Sequence, residues 1–257
     1  MKKIIFSALM ALMVVPNAFG WGQKGHDVVA YVAEQNLSAR VARKVTKVLE
    51  GHSLVYYANW MDNASHTPEF AHTSTWHYAN VDEGYTYQTM PKNENGDVVQ
   101  AVINLTEQLK RGGMTSQEES VALRMLIHLV GDMHCPMHAG HKTDLGGNRV
   151  EVLYFGKPQK LHSIWDSALV ESAHNWGYTE WQREIDRQPR KEDKKVQEGT
   201  PEQWFMETVE LSKGVYKDMP EGAKISYDEV AKYAPLIEQQ LLKGGLRLAK
   251  LLEYIYK

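Results

Sequence analysis

His128-Leu129-Val130-Gly131-Asp132-Met133-His134-Cys135-Pro136-Met137-His138 is the stretch whose reading decides the fold. On a helix, His128 and Asp132 stand four residues apart and share a face. The run before them, Val121 to Val130, is apolar enough to predict a buried helix, from about Gln117 into Cys135. An ionisable pair on such a helix needs compensation for lost solvation, and a metal ion supplies it to imidazole and carboxylate together. Pro136 ends the helix, which leaves His138 on the loop beyond. The spacing therefore sets two ligands on the helix and one just past it, at the centre of an expected polynuclear zinc site. The spacing of His128 to Asp132 recurs at His162 to Asp166.

Outward from this stretch, residues 1–20 read as a secretory leader, with Lys2 and Lys3 before an apolar run from Ile4 to Val15 and Ala18-Phe19-Gly20 as the cleavage site. The apolar run is too short to span a bilayer, so no membrane insertion is expected once the leader is removed, and the destination is the periplasm or the medium. Processing leaves Trp21 as the new N-terminus of one domain over 21–257, expected to be a monomer. Cys135 is the only cysteine, so no intrachain disulfide can form, and packing or metal must hold the fold. The formal net charge is −3. An acidic chain is a poor electrostatic track for nucleic acid unless bound cations concentrate positive charge at one place.

Periodicity predicts helices over Gly25 to Glu34, Ser38 to Leu49 with Ser38 as N-cap, and Asp97 to Leu109 before Gly112-Gly113. Residues 52–75 read as loop, with His52, His66 and His72 facing solvent. Gly84 to Gly96 is polar and reads as an exposed loop. Arg149 to Phe155 is the convincing β pattern, half of a small hairpin. Lys160 to Leu169 returns to helix. Residues 183–202 mix both charge signs and predict an exposed connection, and Ser226 to Lys257 predicts a long amphipathic helix or pair. The fold class is mainly α, a single-domain helical bundle with a small β-hairpin.

The ionisable residues in aromatic or apolar settings are His26, Asp62, His77, His128, Asp132, His138, His162 and Asp166, all nitrogen or oxygen donors suited to Zn²⁺. Together with Trp21, Trp60-Met61-Asp62, Trp76-His77, Asp144-x-Gly146-Gly147-Asn148 and Leu161-His162-x-x-Trp165-Asp166, their order resembles the S1/P1 nuclease family, whose zinc cluster is similar to that of the zinc phospholipases C. The resemblance implies a phospholipase C/P1 nuclease-like fold and three zinc ions per chain. One would take Asp62, His77, His128 and Asp132. A second would take the Trp21 amine and carbonyl, His26 and the bridging carboxylate of Asp132, and a third His138, His162 and Asp166. It further implies hydrolysis of single-stranded DNA or RNA to 5′-phosphorylated products, with 3′-nucleotidase activity. Tyr78 would stack on a base and Asn148 contact a base edge, while Asn80 and Asp144 belong to the substrate side. Asp132 would position the attacking hydroxide.

The chain departs from the family pattern in three places. Ser65 stands where the family commonly has Arg or Lys, Asn80 where it has Asp, and Cys135 where it usually has Gln. His134, His141, His174 and Cys135 read as structural. A phospholipase C would use the same metals on a lipid phosphodiester, but that family carries Glu where this chain has Asp166. A non-catalytic zinc store would show His- and Asp-rich tracts, and the sequence has none.

Overall fold

The computed structural model describes residues 21–257, so the expected leader lies outside the described residues. The fold is mainly helical, as the sequence predicts. Helix α1 (Gln23–Gln35) carries His26 in its first turns. Ser38 caps α2 (Ala39–Val48) by accepting from the Val41 amide. Residues 52–75 are not simply loop: they contain α3 (Leu54–Tyr57), capped by Ser53, α4 (Trp60–Ala64) with Asp62 in its first turn, and a 3₁₀ turn at Ala71–Thr73. Elements this short complete too little of a turn for an apolar period to show in sequence.

Asp97 caps α5 (Val98–Arg111) by accepting from the Val99 and Gln100 amides, and Gly112, at φ 69°, stops it. The central helix α6 (Ser116–Asp132) begins with a Thr115/Glu118 capping box and ends three residues before Cys135. The earlier end follows from Pro136, which holds Cys135 extended and opens a 3₁₀ turn at Pro136–Ala139. His138 therefore sits on an ordered turn.

Strands β1 (Glu151–Tyr154) and β2 (Lys157–Lys160) form the expected antiparallel hairpin, with Glu151 opposite Lys160. Phe155 and Gly156 both take positive φ (47° and 77°), as a tight two-residue turn requires. A third strand, β3 (Lys224–Ile225), pairs parallel with β1, extending the hairpin into a three-stranded sheet. After β2 come α7 (Leu161–Ser163), a π-helical turn over Ile164–Ala168 and α8 (Leu169–Ala173). Residues 183–202 depart from a plain connection: they hold the end of α9 (Tyr178–Ile185), all of α10 (Arg190–Val196) and the start of α11 (Pro201–Asp218). The C-terminal segment is one helix, α12 (Tyr227–Tyr256), not a pair.

Helix α12 packs along α1, and small residues set the spacing. A Cβ on Gly245 would lie 2.4 Å from Val32 Cβ and 3.0 Å from the Val29 carbonyl oxygen. His134, just past α6, belongs to this contact. Its Nδ1 donates to the Val130 carbonyl (2.8 Å), Arg247 reaches its Nε2 (3.0 Å), and Gln240 donates to its carbonyl (2.9 Å). Burial, reinforced by Arg247, holds its pKa down to about 3, so the ring is a neutral packing element. Trp165, Trp181, Trp204 and Phe205 are fully buried around the same frame. Among the described residues, no helix is long and apolar enough to cross a membrane.

Candidate metal centre

The end of α6 is the hub. His128 and Asp132 are both fully buried. His128 Nδ1 donates to the Ala58 carbonyl (2.8 Å), because a carbonyl can only accept, and Nε2 faces inward toward Asp62 and Asp132. His162 repeats the arrangement: Nδ1 donates to the Gly146 carbonyl (2.6 Å), and Nε2 stands 3.1 Å from Asp166 Oδ2. His138 Nδ1 donates to the His77 carbonyl (2.5 Å). A histidine whose other nitrogen is pinned by a backbone carbonyl is oriented as a metal ligand. His138 also brings its own segment against the Trp76-His77 segment, with Ala79 N donating to the His138 carbonyl (3.0 Å) and Val81 N to that of Gly140 (2.8 Å).

Asp132 divides its two oxygens between different neighbours. Oδ2 lies 2.9 Å from His77 Nδ1 and 3.2 Å from His128 Nε2. Oδ1 lies 3.3 Å from His26 Nε2 and 3.8 Å from His138 Nδ1. Asp62 Oδ1 completes the first side, 3.1 Å from His128 Nε2. His26 stacks on His128 at 3.9 Å between ring centres. Burial opposes ionisation of Asp132, yet His128 and His138 outweigh it and hold the carboxyl well below its usual range. Burial likewise opposes charge on His128, but Asp132 and Asp62 hold it well above. His26 is held low by burial and by His128.

Among these buried atoms, His26 Nδ1 and His77 Nε2 make no hydrogen bond, while His26 Nε2, Asp62 Oδ1 and Asp132 Oδ1 meet their neighbours as ion pairs without an aligned hydrogen bond. A buried polar atom left unpaired costs roughly 1–3 kcal/mol, so a concentration of them at one point calls for a partner. Ligand-competent atoms of His26, Asp62 and His128 lie within 4.8 Å of one another, as do those of His77, His128 and Asp132, and those of Cys135, His138 and Asp166. The donor set fits zinc.

Asp166 reaches the cluster from the π-helical turn, a local widening that recurs at functional positions. Trp165 beside it is buried edge-on to Tyr233, at 5.1 Å. The Gly22 amide donates to the Asp166 carbonyl (2.5 Å), which draws the fully buried Trp21 to this end of the site. Gly131 is the one residue of the opening stretch whose role is steric. A Cβ there would lie 2.7 Å from His26 Nδ1 and 3.0 Å from Cε1. Gly131→Ala is expected to push His26 off Asp132 and reduce zinc retention about tenfold, by analogy with outer-shell substitutions. The same change favours the helix by about 1 kcal/mol. Weaker zinc binding by a metal-free chain at least as stable as the wild type, read by calorimetric zinc titration and thermal melts, is the expected signature. Unchanged zinc affinity would contradict the steric role.

Beside the cluster lies a cavity of about 680 Å³ onto which His77 and His162 open. Tyr78, Asn80, Asn148 and Ser65 line it, and so does Lys142, the one lysine or arginine among the described lining residues. Asp144 does not line it. Asp144 Oδ1 accepts from the Gly147 amide (2.7 Å) and the Tyr216 hydroxyl (2.9 Å), so it shapes the Gly-Gly-Asn loop from behind. Asn148 bridges back to the Leu145 carbonyl (2.9 Å), and Asn80 Oδ1 is buried without a partner. His52, His66 and His72 are exposed, as expected, though His66 touches the cavity rim. Sequence reasoning missed Lys142 because a single lysine in a polar loop carries no spacing signal.

A protein-family model, S1/P1 Nuclease, matches residues 21–257. The chain belongs to the S1/P1 nuclease family. It is 29% identical to Endonuclease 2 of Arabidopsis thaliana over 95% of this chain and 93% of that protein. It is 27% identical to Endonuclease 5 of the same plant, over 100% and 97%. Nuclease S1 of Aspergillus oryzae matches at 27% over 67% of this chain and 62% of its own length. S1/P1 nucleases are zinc-dependent, secreted hydrolases of nucleic acid. In this S1/P1 family member, His26, Asp62 and His128, then His77, His128 and Asp132, then Cys135, His138 and Asp166 form the groups among the described residues that could hold a metal ion.

Proposed function

We propose that the protein hydrolyses single-stranded DNA and RNA to 5′-phosphorylated products, with 3′-nucleotidase activity at the same site, using three zinc ions. The observation that carries this reading is the division of Asp132, whose Oδ2 faces His77 and His128 while Oδ1 faces His26. One ion would be held by Asp62, His77, His128 and Asp132, a second by the Trp21 amine and carbonyl, His26 and Asp132, and a third by His138, His162 and Asp166. When bound, zinc supplies an activated water nucleophile and a positive charge for the departing oxygen. Asp132 Oδ1 would orient that water. The scissile phosphodiester would lie between His77 and His162, where the cavity meets the cluster. Lys142 supplies a cation to the strand at the cavity, the charge that Ser65 lacks.

Tyr78 lines the same cavity and offers a stacking face. Base–aromatic stacking is worth roughly 1–3 kcal/mol and tolerates every base, but paired bases are not free to use it. Tyr78→Ala is expected to raise KM for oligonucleotides about tenfold with zinc content intact. A KM that stays at the wild-type value would remove Tyr78 from the substrate site. The leader over 1–20 would be cleaved to release a periplasmic or secreted monomer, so processing and catalysis are coupled. Protein made with an extra Met before Trp21 is expected to lose most activity because the amine is displaced. Equal activity of extended and authentic forms would refute the N-terminal ligand.

The deciding experiment incubates zinc-replete mature protein with single-stranded DNA, RNA, a 3′-nucleotide and phosphatidylcholine in parallel. Hydrolysis of the first three is expected. Hydrolysis of phosphatidylcholine alone would replace the nuclease reading with a phospholipase one.

A further inference from the structure

We propose that Cys135 is itself a metal ligand, joining His138, His162 and Asp166 to give one of the zinc sites a mixed sulfur, nitrogen and oxygen donor set. The proposal rests on the reading that His138, His162 and Asp166 hold a metal ion. Cys135 Sγ lies 3.6 Å from Asp166 Oδ1, and Sγ, a His138 ring nitrogen and an Asp166 oxygen lie within 4.8 Å of one another. With a zinc–sulfur bond of about 2.3 Å and a zinc–oxygen bond of about 2.0 Å, tetrahedral geometry separates the two donors by about 3.5 Å. The same geometry puts nitrogen and oxygen about 3.3 Å apart, against 3.1 Å between His162 Nε2 and Asp166 Oδ2. Two donor pairs already stand at coordination spacing, Cys135 Sγ with Asp166 Oδ1 and His162 Nε2 with Asp166 Oδ2.

The backbone holds the thiol at that place. Cys135 lies at the corner between α6 and the 3₁₀ turn that carries His138. Its amide donates to the Asp132 carbonyl (2.9 Å), and its carbonyl accepts from the His138 amide (3.0 Å). The residue before a proline is confined to extended backbone, so the side chain cannot swing away by a helical continuation. Cys135, His138 and Asp166 are all buried, and no second cysteine exists to draw the sulfur into a disulfide. Two imidazoles, one carboxylate and one thiolate supply four donors, and a zinc ion held this way can still expand to five-coordination when a substrate oxygen approaches. The thiolate also favours softer ions such as cadmium. The added protein donor makes the proposed site the slowest of the three to release metal, and it anchors the π-helical turn to the end of α6.

Cobalt substitution tests this without reference to activity. Mature protein stripped of zinc and refilled with Co²⁺ is expected to show visible d–d bands together with a near-ultraviolet thiolate-to-cobalt charge-transfer band. Because the chain has one cysteine, such a band belongs to Cys135. Cys135→Gln and Cys135→Ser are each expected to abolish the charge-transfer band while retaining d–d bands. A wild-type spectrum with d–d bands and no charge-transfer band would overturn the proposal and leave Cys135 a packed thiol on Asp166. Absence of bound cobalt altogether would overturn the metal reading beneath it. Should either variant fail to fold, the wild-type spectrum alone decides.

Discussion

Asp132→Ala is expected to release more than one zinc per chain and to lower nuclease activity by at least ~100-fold, beyond the 10–100-fold typical of outer-shell changes. The reason is the two-sided placement of its carboxylate. Oδ2 lies within 3.2 Å of His77 and His128, and Oδ1 stands 3.3 Å from His26. Alanine would strip a donor from both sides at once and leave three imidazoles with Asp62 as the one neighbouring carboxylate. By contrast, Asp62→Ala removes a donor from one side only and is expected to release one ion. Elemental analysis of the two purified variants, with circular dichroism to verify folding, separates these outcomes. Loss of no zinc from the Asp132 variant would refute the bridging role.

Chelation is expected to lower the melting temperature by roughly 10 °C or more. Ligand segments come from α1, α4, α6, the 3₁₀ turn after it and the π-helical turn, and no disulfide links any of them. A ligand present at a thousandfold excess over its Kd stabilises by about 4 kcal/mol per site. For a domain of this size, each kcal/mol shifts the melting temperature by about 2–4 °C. Even one such site therefore yields a shift of about that size, and several yield more. Differential scanning calorimetry with and without chelator reads it directly, and an unchanged curve would mean the cluster holds no metal that matters to the fold.

How much of this was legible in the sequence differs from element to element. The side chains that gather at the end of α6 were, because each is a lone ionisable residue in an apolar or aromatic setting and their order survives reading along the chain. Caps at Ser38 and Asp97 and the β1–β2 hairpin were legible because local side-chain chemistry makes them. Strand β3 was not: it is held by hydrogen bonds such as Leu153 N to the Ala223 carbonyl (2.8 Å), which depend on partners distant in sequence. Helix α10 reads as a solvated charge run, and only the structure shows Asp193 buried under Gln188 (2.8 Å). The π-helical turn was hidden because the His162 to Asp166 spacing also suits an ordinary α-helix. Gly131 and Cys135 were visible as letters but not as roles, since one acts by lacking a Cβ and the other by its distance to Asp166.

The most direct test of the central claim is a stepwise return of zinc to stripped mature protein, with hydrolysis of single-stranded DNA measured against zinc bound per chain. No turnover is expected in the stripped protein, and full turnover only as the count approaches three. Full turnover by zinc-free protein would contradict that claim.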